Sequence, residues 1–242
     1  MPPAASIVVL TGSGISADSG VATFRDAGGL WEGQRVEDVA TPEAWERDPL
    51  TVWRFYQTRR AKLREVEPNP AHIALAEFER ACAAAGADFF LVTQNVDDLH
   101  ERAGSTQLLH MHGELAKLRC EACGQSLRDL ESLDPDRFKA CAACDHERLR
   151  PDIVWFGEVP HGLDLIDQRM SACTHFLALG TSGVVYPAAG LLSIARARGA
   201  RTYVNSLAAP DNLHPQDTFH PGRAAEVVPT LLEQLRAAIR IP

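Results

Sequence analysis

The run Ile7-Val8-Val9-Leu10-Thr11 passes without a break into Gly12-Ser13-Gly14-Ile15-Ser16-Ala17. The first five residues are apolar or β-branched and predict a buried strand. The next six fit the pattern G-x-G-x-x-G/A, whose glycines let the backbone turn sharply and approach a pyrophosphate. A helix after them would aim its N-terminus at that anion. Strand and loop together predict an α/β nucleotide-binding sheet, although a plain strand-to-helix turn leaves the same trace. One part of an ordinary dehydrogenase is missing. No strand ending in an acidic residue follows about 20 positions on, where a ribose-binding carboxylate belongs. The chain carries Thr23-Phe24-Arg25 and then Gly28-Gly29-Leu30-Trp31, a loop with an aromatic that suits a lid over a bound nucleotide.

Residues 89–93 form a second compact apolar run, ended by Gln94-Asn95-Val96-Asp97-Asp98. In a parallel sheet that cluster falls at the carboxyl edge, where open α/β folds bind ligands, yet its members read equally as turn formers. Between the two runs, residues 52–65 predict a helix. Asn69-Pro70 caps a second one, which puts Leu75, Phe78 and Cys82 on one face and stops at Gly86. The last third alternates. A strand over 175–179 meets Gly180-Thr181-Ser182-Gly183, then comes a helix opened by Pro187 and closed by Gly199, then a strand over 202–205. That βαβ unit implies a parallel sheet. A C-terminal helix lines up Val228, Leu231, Leu232, Leu235 and Ile239, with Pro229 in its first turn.

The 242 residues are 45% hydrophobic and 23% charged, which excludes wholesale disorder. Acidic side chains outnumber basic ones 32 to 24, for a net charge of −8, which argues against direct nucleic-acid binding. The start lacks the basic region of a secretory signal, and glycines and Pro187 break up the uncharged stretch 176–195. No membrane association is expected, and a cytoplasmic protein is. Cys82 and Cys173 stand alone in apolar segments. Cys120-x2-Cys123 and Cys141-x2-Cys144 are two pairs 17 residues apart, which in a reducing cytosol predicts one tetrahedral zinc rather than disulfides. With four protein ligands no position is left for water, so such a zinc is structural.

These motifs resemble, in order and over nearly the whole chain, those of the sirtuins, NAD-dependent protein-lysine deacylases. The first signature is Gly12 to Gly20 with Thr23-Phe24-Arg25; the second is Thr93 to His100 with Arg102-Ala103-Gly104. His112-Gly113, the cysteine pairs, Val154-Trp155-Phe156-Gly157-Glu158, Gly180-Thr181-Ser182 and Asn205 follow. Ser13 and Asp18 stand where the family usually has alanine and glutamate, and Ser206-Leu207 departs from its commonest form. The resemblance implies a Rossmann-type domain of residues 1–31, 86–117 and 151–242. A helical module (32–85) and a zinc module (118–150) make up a small domain.

NAD, consumed as co-substrate, is implied to meet Gly12, Ser13, Gly14, Ala17, Asp18, Phe24, Arg25 and Trp31. Further contacts implied are Gln94, Asn95, Asp97, Gly180, Thr181, Ser182, Asn205, Ser206 and Ala224. Spacing does not rank His110 against His112; the resemblance makes His112 the general base, with Asn95 ordering the ribose and its water. Acyl-lysine proteins or peptides are the implied partners, held near Val154, Phe156, Gly157, Glu158 and Val184. Tyr56 lies three residues from Arg59 and four from Arg60, so helical spacing leaves the choice of arginine open. Similarity to the Tyr-x-x-Arg signature of the desuccinylase branch selects Arg59, and Ala40 matches that branch's small residue. The expected activity is therefore desuccinylation and demalonylation with some deacetylation. The alternatives are a mono-ADP-ribosyltransferase on the same scaffold and a non-catalytic zinc-ribbon adaptor.

Overall fold

The computed structural model describes residues 5–23, 30, 31 and 33–241, the side chains of Leu30 and Trp31 excepted. In chain order, β1 (Ser6–Thr11) is followed by β2 (Leu30–Trp31) and β3 (Gln34–Arg35), then α1 (Val36–Val39), α2 (Pro42–Arg47), α3 (Pro49–Leu63) and α4 (Pro70–Ala84). Next come β4 (Asp88–Thr93), α5 (Leu99–Ala103), β5 (Leu108–His110), β6 (Gly113–Cys120), β7 (Ser126–Arg128) and β8 (Leu149–Ile153). The remainder is α6 (Leu163–Ser171), β9 (His175–Leu179), α7 (Gly190–Ala197), β10 (Arg201–Ser206), β11 (Thr218–Pro221) and α8 (Ala224–Ala238).

Six strands form one parallel sheet in the order β11-β10-β9-β1-β4-β5. The chain leaves β1 for β4 on one side and later fills β9, β10 and β11 on the other. That reversal opens a crevice at the carboxyl ends of β1, β4 and β9, the place where such sheets bind ligands. Ile7, Val9, Leu91 and Leu177 face the apolar stripes of α4 and α8, while Val8, Leu10, Phe176 and Val204 face α6 and α7. Burial on both faces explains why these strands read as continuous apolar runs.

The second unit has its own core. Trp45 of α2 and Trp53 of α3 pack on Phe138 at ring distances of 5.9 and 5.6 Å, and Trp45 also meets Trp155 at 5.8 Å. These aromatics cover the antiparallel sheet β7-β6-β8, whose Leu118, Cys120 and Leu149 are buried with them. The cysteine segment is poor in large apolar residues and is stabilised by those of α2 and α3.

Several expectations need correction. The first concerns the glycine loop, which leads into two single 3-10 turns, Ser13–Ile15 and Ala17–Ser19, and no α-helix. Its Gly12 and Gly14 N–H groups bond to the Leu179 and Gly180 carbonyls at 3.1 and 2.8 Å, so the glycines permit loop-to-loop approach. Secondly, α4 lies outside the expected helical module 32–85: its Ala71, Leu75, Phe78 and Cys82 pack on the parallel sheet beside Phe89 and Leu91. The zinc module likewise extends past 118–150, because β6 starts at Gly113 and β8 ends at Ile153. Thirdly, α7 starts at Gly190, with Pro187 in the preceding turn, where its carbonyl accepts from the Gly190 N–H at 3.0 Å. Lastly, Pro229 lies in the second turn of α8, which begins at Ala224.

Candidate active site

A cavity of about 870 Å³ occupies the crevice between the parallel sheet and the small unit. Its floor is built by close backbone approach. A Cβ on Gly14 would sit 2.7 Å from the Gly180 carbonyl oxygen, a distance no side chain tolerates, so Gly14 seats the first loop against the second. Gly12, Ser13, Gly14, Ala17 and Asp18 line one wall, with Gly180, Thr181 and Ser182 beside them. Gln94 joins the two loops: its amide donates to Thr181 Oγ1 at 3.1 Å.

The turn after β4 supplies the polar centre. Asn95 and Asp97 are buried, and both line the cavity. The Asn95 amide donates to Ser16 Oγ at 3.0 Å, and its backbone N–H donates to Thr93 Oγ1 at the same distance. Burial raises the pKa of Asp97 against bonds from Ser16 and the Leu99 N–H. Asp98 pairs with Arg128 and Arg102, outside the cavity wall.

His112 Nδ1 lies 3.1 Å from the Gln94 carbonyl. A carbonyl only accepts, so Nδ1 carries the proton and the Nε2 lone pair is left bare. Burial lowers the pKa of this histidine, with the nearby His161 acting in the same direction and the Gln94 carbonyl opposing. The ring is thus neutral near pH 7 and set up to accept a proton at Nε2. Gly113 is required beside it, with φ +81° and a Cβ position 2.1 Å from the Asp152 carbonyl. His112 lines the cavity, whereas His110 does not.

At the end of the cavity beside β10, Asn205 donates to the His220 and Gly222 carbonyls at 2.9 and 3.1 Å. Its buried Oδ1 has no partner among the described residues. The Ser206 hydroxyl donates to the Ala208 carbonyl at 2.7 Å, and Ala224 opens α8 at the cavity wall. The Asp18 carboxylate accepts from Arg223 Nε at 2.7 Å and, at 3.4 Å, from the Ala225 N–H in the first turn of α8. Phe24 and Arg25 lie outside the described residues, as does the side chain of Trp31.

On the opposite wall, Ala40, Tyr56, Arg59, Val154, Phe156, Gly157 and Glu158 all line the cavity. The Ala40 carbonyl accepts from the Phe156 N–H at 3.0 Å, and the His112 carbonyl accepts from the Val154 N–H at 2.9 Å. Glu158 is engaged elsewhere: Arg150 grips it bidentately at 2.7 and 2.9 Å, and the Trp155 N–H bonds to it at 2.8 Å. Val184 is exposed and does not line the cavity, unlike its neighbours Val185 and Tyr186. Arg60, the alternative to Arg59, points away and faces Asp129 at 3.9 Å, completely buried. Ser16, which holds Asn95, was not singled out by the sequence reading; its signal was its place inside the glycine motif. Lys62 and Val66 also line the wall without having been foreseen.

The four cysteine sulfurs converge within 4.8 Å of one another, with the Cys120–Cys144 pair at 3.6 Å and the Cys123–Cys141 pair at 3.7 Å. These separations exclude disulfides and match the ~3.8 Å edge of a tetrahedron with 2.3 Å metal–sulfur bonds.

A parallel-sheet crevice walled by glycine loops, with a neutral histidine beside it and a four-thiolate module behind, defines a dinucleotide-type site. The chain matches the model of the Sir2 family over residues 12–187. A Shewanella oneidensis protein named NAD-dependent protein deacylase is 49% identical over 235 residues, covering 96% of this chain and 94% of that one. A mutant Sir2 homologue in complex with ADP-ribose superposes with TM-score 0.87 at 38% identity, covering 98% of this chain and 94% of its own. A Sir2 homologue–NAD complex gives 0.85 at 39% identity, covering 96% and 90%. The chain belongs to the Sir2 family.

Proposed function

We propose that this enzyme removes acidic acyl groups, succinyl and malonyl, from protein lysines in preference to acetyl. The coarser activity is NAD-dependent protein deacylation, the name borne by relatives 47–49% identical over most of the chain. The observation that carries the finer reading is the placing of Tyr56 and Arg59 together on the cavity wall, while Arg60 is turned to Asp129. A guanidinium fork and a phenol hold a distal carboxylate, and acetyl offers them nothing. Burial pushes the Tyr56 pKa far up, so its hydroxyl stays protonated and donates. Ala40 leaves room beside them.

NAD fits the described residues: the orphaned Asn205 Oδ1 is an acceptor suited to a ribose hydroxyl. When bound, NAD would supply the ribose carbon that takes the acyl oxygen as nicotinamide leaves; with one water consumed, the products would be nicotinamide, free lysine and O-acyl-ADP-ribose. Gln94 and Asn95 orient that ribose, and Asp97 faces the carboxamide. His112 accepts a proton at Nε2 from a ribose hydroxyl. The extended substrate backbone lies along 154–158, an instance of strand addition. Cys120, Cys123, Cys141 and Cys144 hold one structural zinc, which offers no open position and takes no part in the reaction. No described helix is long and apolar enough to cross a membrane, and four reduced thiolates suit a cytoplasmic enzyme.

The test is one lysine peptide carrying succinyl, malonyl or acetyl, incubated with NAD and read by mass. Faster loss of succinyl, with O-succinyl-ADP-ribose formed, supports the proposal. Equal or faster loss of acetyl defeats the acidic preference, and ADP-ribose appearing on protein with the acyl group intact favours the transferase.

A further inference from the structure

Two histidines two residues apart are held by two consecutive carbonyls. His112 Nδ1 faces Gln94 O at 3.1 Å, and His110 Nδ1 faces Asn95 O at 2.9 Å, with Met111 buried between them. The two rings differ at their other nitrogen. His110 Nε2 lies 2.7 Å from the Glu101 carboxylate. A carbonyl and an ionised carboxylate both only accept, so both nitrogens of His110 must donate. The ring is an imidazolium, bridging α5 to the turn after β4.

We infer that His110 is a positioning residue of the reaction: as an imidazolium tied to Glu101, it fixes the Asn95 carbonyl and thereby the turn that aims Gln94, Asn95 and Asp97 into the cavity. The same turn carries the Gln94 carbonyl that sets the tautomer of His112. His110 itself does not line the cavity and touches no reacting atom. Its charge is supported from several elements. Burial opposes it, but the bond and charge of Glu101 outweigh that, helped by the Asn95 carbonyl and Glu114 of β6, and its pKa is raised. Arg128 of β7 acts on Glu101, whose carboxyl stays ionised although burial opposes this. Asp97 and His100 also feel the His110 charge, while Lys117 and Glu114 form their own pair beside it. His161 and Asp152 line the same outer pocket.

A raised histidine pKa fixes the sign. The clamp is complete below the ordinary value of about 6.5 and is lost as pH rises through the higher folded value. His110 therefore sets an alkaline limb of kcat/KM for NAD, while His112, whose pKa is lowered, sets the acid limb. The inference rests on the cavity being the NAD site and not on which acyl group is preferred.

Nicotinamide release with acyl-lysine peptide, followed across pH, compares wild type with His110→Ala, His110→Asn and Glu101→Gln. His110→Ala should lower kcat/KM for NAD roughly 10- to 100-fold, as for loss of a charged hydrogen bond. His110→Asn, which keeps an N–H for the Asn95 carbonyl, should restore most of the rate and abolish the alkaline limb. Glu101→Gln should move that limb to lower pH. In parallel, ring-nitrogen NMR of the zinc-loaded wild type at pH 7 should show His110 protonated on both nitrogens. A single-proton ring at pH 7 overturns the inference. So does an unchanged kcat, KM and alkaline limb in His110→Ala, even if its Tm falls. If the wild type releases no nicotinamide, the deacylase reading fails while the NMR still tests His110.

Discussion

The indole N–H of Trp155 donates to the phenol oxygen of Tyr56 at 2.9 Å, across 99 residues of sequence and within the aromatic core of the small unit. Tyr56 is fully buried in the wall of the cavity, so this bond sets where its hydroxyl points. Trp155 is itself stacked by Arg150, whose guanidinium carbon lies 3.5 Å from the ring centroid and whose fork grips Glu158. This wall of the cavity is thus a chain of contacts from α3 to the segment after β8. Trp155→Phe should keep the ring packing and release the phenol. Loss of one neutral buried bond, about 1 kcal/mol, should cut the succinyl-to-acetyl ratio of kcat/KM roughly fivefold. The measurement is that ratio on one peptide; an unchanged ratio detaches Trp155 from selectivity.

Arg59 and Arg60 should separate cleanly. Arg59→Met should reduce succinyl-lysine turnover by roughly 10- to 100-fold, the worth of a charged hydrogen-bonded contact, and leave acetyl-lysine turnover nearly untouched. Arg60→Met should instead cost stability and leave selectivity alone. Its guanidinium is buried against Asp129, which Lys139 also holds at 2.6 Å, and burial lowers the Arg60 pKa to about 10. Here the acyl ratio should stay constant while thermal unfolding shifts to lower temperature. A changed ratio in Arg60→Met would reverse the assignment of the two arginines.

Gly14→Ala places a methyl 2.7 Å from the Gly180 carbonyl, and backbone on both sides has nowhere to go. The two loops must separate, which breaks the Gly14 N–H bond to that carbonyl and the seat of Gln94 on Thr181. Affinity for NAD, read by titration calorimetry, should fall at least tenfold, with overpacking costing about 1–3 kcal/mol of stability. Affinity equal to the wild type would show that the loops adjust without strain.

Much of this site is legible in the sequence because strand edges and glycine loops are local signals. Residues 7–11, 89–93 and 175–179 are strands buried on both faces, and their polar ends fall together at the crevice. The rotation of α3 is not local. Tyr56, Arg59 and Arg60 share one helical neighbourhood, and only the packing of Trp53 on Phe138 and of Tyr56 on Trp155 turns Arg59 to the cavity. The side of α4 is equally hidden, since an apolar stripe does not say which surface it covers. The 3-10 turns after Gly14 depend on contacts with the loop at Gly180, some 165 residues away in sequence, which no glycine pattern encodes.

The cysteine module should need its metal to fold. Leu118, Cys120, Cys141 and Leu149 are buried, but the segment 121–148 supplies little apolar surface of its own. Structural zinc contributes about 10–16 kcal/mol in isolated zinc-finger modules, more than the whole stability of many domains. One zinc per chain by elemental analysis is expected, and Cys141→Ser should lose metal and solubility together. Because α2 and α3 share that core, the loss should also disturb Tyr56 and Arg59 and lower deacylation. Full activity in metal-free protein would refute a structural role.

Acid should weaken the fold through two buried histidines behind the cavity. His72 accepts the Asn69 N–H at Nδ1, at 3.3 Å, as part of the cap that starts α4, and its ring meets that of His100 at 4.8 Å. Burial lowers the His72 pKa to about 4, and burial with the neighbouring histidines puts His100 well below its ordinary value. His72 is therefore neutral in the folded chain at pH 5, where the unfolded chain holds a proton on it, and His100 is shifted in the same direction. A depressed folded pKa gives stability that is present above the unfolded value near 6.5 and lost as pH falls toward 4. Each unit of pKa difference corresponds to about 1.4 kcal/mol, so His72 should remove about 3 kcal/mol over that interval, with His100 acting in the same direction. Tm measured from pH 7.5 to pH 4.5 should fall steeply below 6.5. His72→Gln, which keeps a polar side chain at the cap without a titrating ring, should start from a lower Tm and show a shallower slope. An identical slope in that variant would place the acid sensitivity elsewhere.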